Sequence, residues 1–292
     1  MTAISQEQTR PVLTMRSRKG IGRAVRRNPA LYIGGTLVTL IFVIAIIGPV
    51  IAPYDPIEQD LVHRLEPPSG EHLLGTDKFG RDILSRILYG TRVDLKIGLI
   101  SVAIPFVLGI LIGCISGYYG GLIDSLLMRL VDMSVAFPFY VLVIVILAIL
   151  GPGVRNMYIA LIIVGWIAYA KIVRGEVLVA KNEEYVLAAQ ALGYSDFRII
   201  VRHLIPNVIS PSIVYAMSDV VLCILAGSSL GFLGLGVQPP TSEWGVMIAQ
   251  GREFVTTAPW LSTFPGFAIA IVGISFSLLG DGLSTLLRPS NR

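Results

Sequence analysis

Long apolar runs separated by short polar stretches set the pattern of this chain. Six of them come near the ~20 residues that an α-helix needs to cross ~30 Å of hydrocarbon: 31–52, 97–117, 131–150, 157–173, 212–235 and 264–287. The pattern predicts an all-α integral membrane protein with six transmembrane helices. Two polar interruptions are long. The first, 53–93, opens Ala52-Pro-Tyr-Asp-Pro56 and continues through Glu66-Pro-Pro-Ser-Gly70, which predicts a stiff, extended path with little regular structure. Near its end Ile83, Leu84, Ile87 and Leu88 form one helical stripe with Arg81, Ser85 and Arg86 off it, as in an interfacial helix. The second, 175–209, is helix-prone and polar.

Composition agrees with this. Of 292 residues, 54% are hydrophobic and only 14% charged, which argues against a soluble globule. The tail 1–30 carries Arg10, Arg16, Arg18, Lys19, Arg23, Arg26 and Arg27 against a single acid, Glu7, and so predicts an inside N-terminus. With six spans both termini are then cytosolic, and the transmembrane body is 31–292. The loop 175–209 falls inside, consistent with Lys181, Arg198 and Arg202, while 53–93 falls outside. That outer loop also holds Arg64, Lys78, Arg81, Arg86 and Arg92, so the charge rule is not cleanly obeyed, and its seven acids weigh little in that rule. The net charge of +4 suits anionic lipid headgroups, with no reason to invoke nucleic acid. No cleavable signal peptide is expected.

Few residues suggest chemistry. Cys114 and Cys223 fall in spans, as small hydrophobes with neither metal spacing nor disulfide context. Asp77 and Asp82 are expected to cap helices or pair with Lys78, Arg81 and Arg86 rather than bind metal. Gly109, Gly113 and Gly117 share one helix face and predict close helix packing. Arg129 and Asp132 are expected to pair, and Asp281 to lie near the cytosolic end of the last span. Gly227-Ser-Ser-Leu-Gly231 matches a serine-nucleophile pattern inside a span, but His63, His72 and His203 all lie outside the spans, so an intramembrane protease is a remote alternative. Asp219 stands about 10 Å into the fifth span at 1.5 Å per residue. It is expected either to line a pore or to pair with Lys171 or Arg174.

In the inner loop, Ala188 and Ala189 would let a short helix seat in another protein's groove. Gly193 would turn the chain, and Ser195 would cap a second helix that Pro206 limits. These residues resemble the coupling loop of ABC-importer permeases, Glu-Ala-Ala, three residues, Gly, nine residues, Ile-x-Leu-Pro. Ala188, Ala189, Gly193 and Pro206 match; Leu187, His203 and Ile205 depart from it. Further fragments follow in the right order, among them Gly75-Thr-Asp77, Gly80-Arg-Asp82, Gly117-Tyr-Tyr-Gly-Gly121, Ala136-Phe-Pro138, Gly231-Phe-Leu-Gly-Leu-Gly236, Glu243-Trp-Gly245 and Leu279-Gly-Asp-Gly-Leu283. Over about 20–290 the chain resembles the C-type permease subunit of ABC importers for dipeptides, oligopeptides and nickel.

The resemblance implies a type I importer permease fold in a bacterial inner membrane, working by alternating access. It also implies a homologous second permease, two cytosolic ATPases and an extracytoplasmic binding protein. Glu184, Tyr185, Ala188, Ala189, Gly193, Arg198 and Pro206 would couple to the ATPases. Asp219, Gly231, Phe232, Gly234 and Gly236 are pore or gate candidates. The chain has no phosphate-binding Gly-x-x-x-x-Gly-Lys-Ser/Thr loop, so no cofactor is expected on it, and ATP and Mg²⁺ would sit in the partner ATPases. Peptide cargo is favoured, with nickel, opines, glutathione or another small solute open. An ion-driven secondary transporter is the main alternative.

Overall fold

The computed structural model describes residues 28–287, so nearly all of the basic tail expected over 1–30 lies outside the described residues. Those residues form eleven α-helices, with one isolated antiparallel bridge between Thr76 and Asp82. Five helices are long and apolar enough to cross a membrane: α1 (Pro29–Ile51), α2 (Ile83–Tyr119), α5 (Val154–Ala180), α9 (Ser210–Phe232) and α11 (Trp260–Leu287). A bent pair, α3 (Gly121–Val135) and α4 (Phe139–Leu150), supplies a sixth if it counts as one span. The short helices are α6 (Glu184–Ala191), α7 (Asp196–Ile199), α8 (Ile205–Val208) and α10 (Trp244–Gly251).

Two boundaries differ from the sequence expectation. The interfacial helix at 83–89 and the span from 97 are one helix, α2, whose 37 residues extend about 55 Å. Asp82 starts it, its Oδ2 accepting from the Ser85 N–H at 2.7 Å. The charges Arg92, Asp94 and Lys96 interrupt the apolar pattern between the two, yet α2 runs through them, and Arg86 and Asp94 are buried among partners. The expected third span, 131–150, is broken by 90° between α3 and α4. Pro138, which lacks an N–H and disfavours helix in the residue before it, stands at the break.

The α2–α5 seam is the most extensive contact between long helices. A Cβ added at Gly113 would lie 2.7 Å from the Ala170 carbonyl oxygen and 2.8 Å from Val173 Cβ, and one at Gly117 would lie 2.9 Å from Val177 Cβ. The glycine repeat thus packs helices, as its spacing predicts. At the end of this seam Arg174 grips Asp124 with two hydrogen bonds, its Nη2 donating to Oδ2 at 2.6 Å, which ties α5 to α3. Arg129 and Asp132, expected to pair, are exposed and form no ion pair: both lie on the open side of α3, and the acid of α3 that does pair is the half-buried Asp124, with Arg174.

The segment 52–82 has one 3₁₀ turn, Leu61–His63, and is organised around buried polar groups. Asp77, 3% exposed, pairs with both Arg81 and Arg86, and Gln250 Oε1 of α10 accepts from both guanidiniums at 3.0 and 3.2 Å. The Thr76 hydroxyl donates to the His63 carbonyl and accepts from the Glu66 N–H. Trp260 Nε1 of α11 donates to the Thr76 carbonyl at 3.3 Å. The roles expected for Asp77 and Asp82, pairing and capping, are the ones found.

Candidate functional site

Three regions concentrate polar groups. The first is an open cavity of about 450 Å³ bordered by the α3–α4 break, α5 and α9. Phe137, Phe139, Val164 and Ile167 give it apolar walls; Lys171 and Asp219 bring opposite charges to it. Asp219 is half-buried and does not pair with Lys171 or Arg174, correcting the helix-pairing expectation. Arg174 is taken by Asp124, and the Tyr169 hydroxyl donates to Asp219 Oδ2 at 2.7 Å instead. Tyr169 is held edge-on between Phe106 and Tyr215, with ring centroids at 5.5 and 5.0 Å. Lys171 is exposed and, among the described residues, has no acid within 4.0 Å.

The other pore candidates are not brought to this cavity. Gly231 to Gly236 close the far end of α9, about 18 Å along the helix from Asp219. Gly234, at φ +76°, makes the turn: its N–H donates to the Gly231 carbonyl and the Leu235 N–H to the Leu230 carbonyl, the two bonds of a Schellman cap. Gly231 and Gly236 are buried against each other, and Phe232 is partly exposed. Gly231, Phe232 and Gly234 line a separate cavity of about 470 Å³ with Lys78, Arg252 and Glu253.

The second region lies beside that turn. Glu243, fully buried, caps α10: its Oε1 accepts from Gly245 N–H and its Oε2 from Val246 N–H, both at 2.8 Å. The Ser228 hydroxyl donates to Oε1 at 3.1 Å. Asp94 of α2 is equally buried, and its Oδ2 accepts from the Trp244 N–H at 3.2 Å. Ser228 therefore serves a carboxylate and Ser229 donates to the Leu225 carbonyl, so the Gly-x-Ser-x-Gly segment is packing. The Asp94–Glu243 pairing has no local signal in the sequence, because it joins α2 to the cap of α10. Glu243→Ala would strand three buried donors at about 1–3 kcal/mol each, so we expect a clearly lower thermal midpoint for the purified protein. Asp94→Asn removes an acid beside an acid and should not lower it. Equal midpoints for Glu243→Ala and the native protein would refute the capping role.

The third region is α6–α8, at the opposite end of α2. Gly193 sits at φ +75°, and the bonds Gly193 N–H to Gln190 carbonyl and Tyr194 N–H to Ala189 carbonyl form a Schellman cap, as its turn role predicts. Val186 and Ala189 face inward, with Ala189 only 4% exposed in a cluster with Ile199, Leu204 and Val208. Of the two small residues, Ala188 alone is available to a groove. Leu187, Leu192 and Phe197 are exposed, the last two at 72% and 77%. Glu184 is exposed too, and Arg198 lies over the Tyr194 ring at 4.1 Å. Burial, and then the neighbouring Glu183 charge, pushes the Tyr185 phenol above its usual range, so it remains a neutral hydroxyl.

Two capping expectations change here. Ser195 makes no side-chain cap bond to α7. Pro206 does not limit the second helix but stands in the first turn of α8, after a π-turn at Ile200–Leu204. Pro206 has no N–H to return to the preceding turn, and the Asn207 side chain donates to the His203 carbonyl at 2.6 Å.

Comparison with known proteins resolves what these regions belong to. Residues 109–292 match the family described as binding-protein-dependent transport system inner membrane component, and 19–68 match the N-terminal TM domain of oligopeptide transport permease C. The dipeptide transport system permease protein DppC of Alkalihalophilus pseudofirmus is 41% identical, over 91% of this chain and 88% of its own. The chain belongs to the ABC-importer permeases. A di/tripeptide permease of Pseudomonas aeruginosa is 42% identical over 88% of this chain and 87% of its own, and the glutathione permease GsiD of Pectobacterium atrosepticum is 40% identical over 91% and 89%. In fold, the permease is similar to the MetNI methionine ABC transporter in inward-facing conformations. There the TM-score is 0.56 at 16% identity, over 70% of this chain and 96% of that one.

This membership decides against the protease and ion-driven alternatives. The permease is a multi-pass membrane component and not an enzyme; ATP hydrolysis belongs to its ATPase partners.

Proposed function

We propose that this permease forms half of the translocation path of a bacterial inner-membrane importer for di- or oligopeptides, pairing with a homologous second permease. The dipeptide and di/tripeptide names of relatives at about 40% identity support that cargo. The end carrying 52–82 and α10 is extracytoplasmic and receives the binding protein. The α6–α8 end and both termini are cytosolic, in keeping with the basic tail. Two ATPase subunits that bind ATP and Mg²⁺ dock on the pair of permeases. Their closure on ATP drives an inward-open path to an outward-open one, and hydrolysis resets it.

The observation that carries the docking assignment is the two-sided character of α6–α7. Its inner face is anchored by Val186, Ala189 and Ile199, while Leu187, Ala188, Leu192 and Phe197 are left uncovered. An apolar face on a short, rigidly capped helix fits a groove on a motor subunit. Ala188→Arg together with Phe197→Asp would bring unpaired charge into that contact. We expect capture of the ATPases to fall at least tenfold, and substrate-stimulated hydrolysis with it, while the permease pair still assembles. Undiminished capture would remove the assignment. Ala189→Arg is a poorer test, because it damages the permease's own packing.

A further inference from the structure

We propose that the cavity between the α3–α4 break, α5 and α9 is a transient binding site for the charged ends of a short peptide, with Asp219 holding the α-ammonium and Lys171 the α-carboxylate. This deepens the peptide-importer reading above and rests on it.

Both charges lie at similar depth. Asp219 is nine residues from the start of α9 and Lys171 nine from the end of α5, each about 13 Å from the same end of the bundle. Charged side chains at such depth are costly unless they are paired or face water, and when they persist they mark a solute path. These two line one cavity without meeting: no ion pair within 4.0 Å joins them, and neither has another opposite charge in reach among the described residues. Space remains between an unpaired acid and an unpaired base. A ligand with both an ammonium and a carboxylate fills that space with complementary charge, whereas a simple cation or anion would satisfy only one wall.

The remaining surroundings suit a main chain with variable side chains. Tyr169 donates to Asp219 Oδ2, fixing the carboxylate and leaving Oδ1 to a ligand donor. Besides the Tyr215 hydroxyl and that of Ser134, which is given to the Leu130 carbonyl at 2.9 Å, the walls Phe137, Phe139, Val164 and Ile167 are apolar and offer no directed hydrogen bond from their side chains. Contacts of that kind hold bulk without reading its polarity. The volume, about 450 Å³, is in the range of about 300–1,000 Å³ usual for small-molecule sites.

The test uses the complete importer, with second permease, ATPases and binding protein, in proteoliposomes. Labelled dialanine taken up per ATP hydrolysed is measured for the native permease, Lys171→Gln and Asp219→Asn. Each substitution deletes one charge-assisted hydrogen bond, so uptake per ATP should fall on the order of tenfold. Asp219→Asn keeps an acceptor for Tyr169. Lys171 is exposed and unpaired, so its loss cannot undermine the fold, and the Lys171→Gln result alone is decisive. If native importer carries dialanine and Lys171→Gln carries it with equal yield per ATP, the site is wrong and the importer reading stands. If the native importer carries no peptide at all, the peptide reading fails first.

Discussion

Asp77→Ala is expected to leave little folded permease in the membrane. Asp77 is the sole carboxylate shared by Arg81 and Arg86, all three are nearly solvent-free, and Arg86 Nη2 already lacks a partner. Removing the acid leaves two buried guanidiniums facing the Gln250 amide oxygen, with the Ser242 hydroxyl, 3.4 Å from Arg86 Nε, as a further neutral acceptor. Breaking a buried ion pair from one side costs about 3–5 kcal/mol, a large part of ordinary protein stability. The yield of monodisperse, detergent-extracted protein should collapse. Replacing Asp77, Arg81 and Arg86 together with Leu, Met and Met removes charge on both sides and should recover part of it. A single Asp77→Ala variant with native yield and midpoint would show that the cluster does not hold the 52–82 segment.

Gly113→Val should be as damaging, for a steric reason. Even the first carbon of a side chain would sit 2.7 Å from the Ala170 carbonyl oxygen and 2.8 Å from Val173 Cβ, and both belong to a helix body that cannot step aside. Overpacking ordinarily costs about 1–3 kcal/mol, and here the obstacle includes backbone. Gly175, where an added Cβ meets nothing within 4 Å, is the matched control and should accept Ala with native yield. Similar yields for the Gly113→Val and Gly175→Ala proteins would contradict the seam.

Much of this architecture was legible because hydropathy acts locally. The runs at 31–52, 157–173, 212–235 and 264–287 each lie largely within a helix, and Gly193 and the glycine repeat announce their roles by residue type. What failed was tertiary. The continuation of α2 through Arg92, Asp94 and Lys96 has no apolar run to announce it, and the burial of Arg86 and Asp94 depends on Asp77 and on Gln250 and Trp244, which are far off in sequence. The apolar composition of 131–150 hid the break at Pro138. Asp219 stands out as an acid inside an apolar run, yet its partner Tyr169 is 50 residues away on a helix whose rotation no short window specifies. Ala188 and Ala189 look alike in sequence; which one faces the bundle is decided by the α6 register against Ile199 and Leu204.

The bend after α3 also restricts what this protein's surroundings are made of. α4 has twelve residues and extends about 18 Å, well short of ~30 Å of hydrocarbon. Between the two helices the chain at Ala136 to Pro138 is exposed and out of helical register. Peptide groups outside a helix are not tolerated against lipid tails, which offer them neither donor nor acceptor. That surface is therefore never a lipid boundary: it must meet either another polypeptide or a column of water. An isolated copy of the chain would draw water inward or thin the bilayer around this notch, and the second permease proposed above would give the notch a polypeptide to meet.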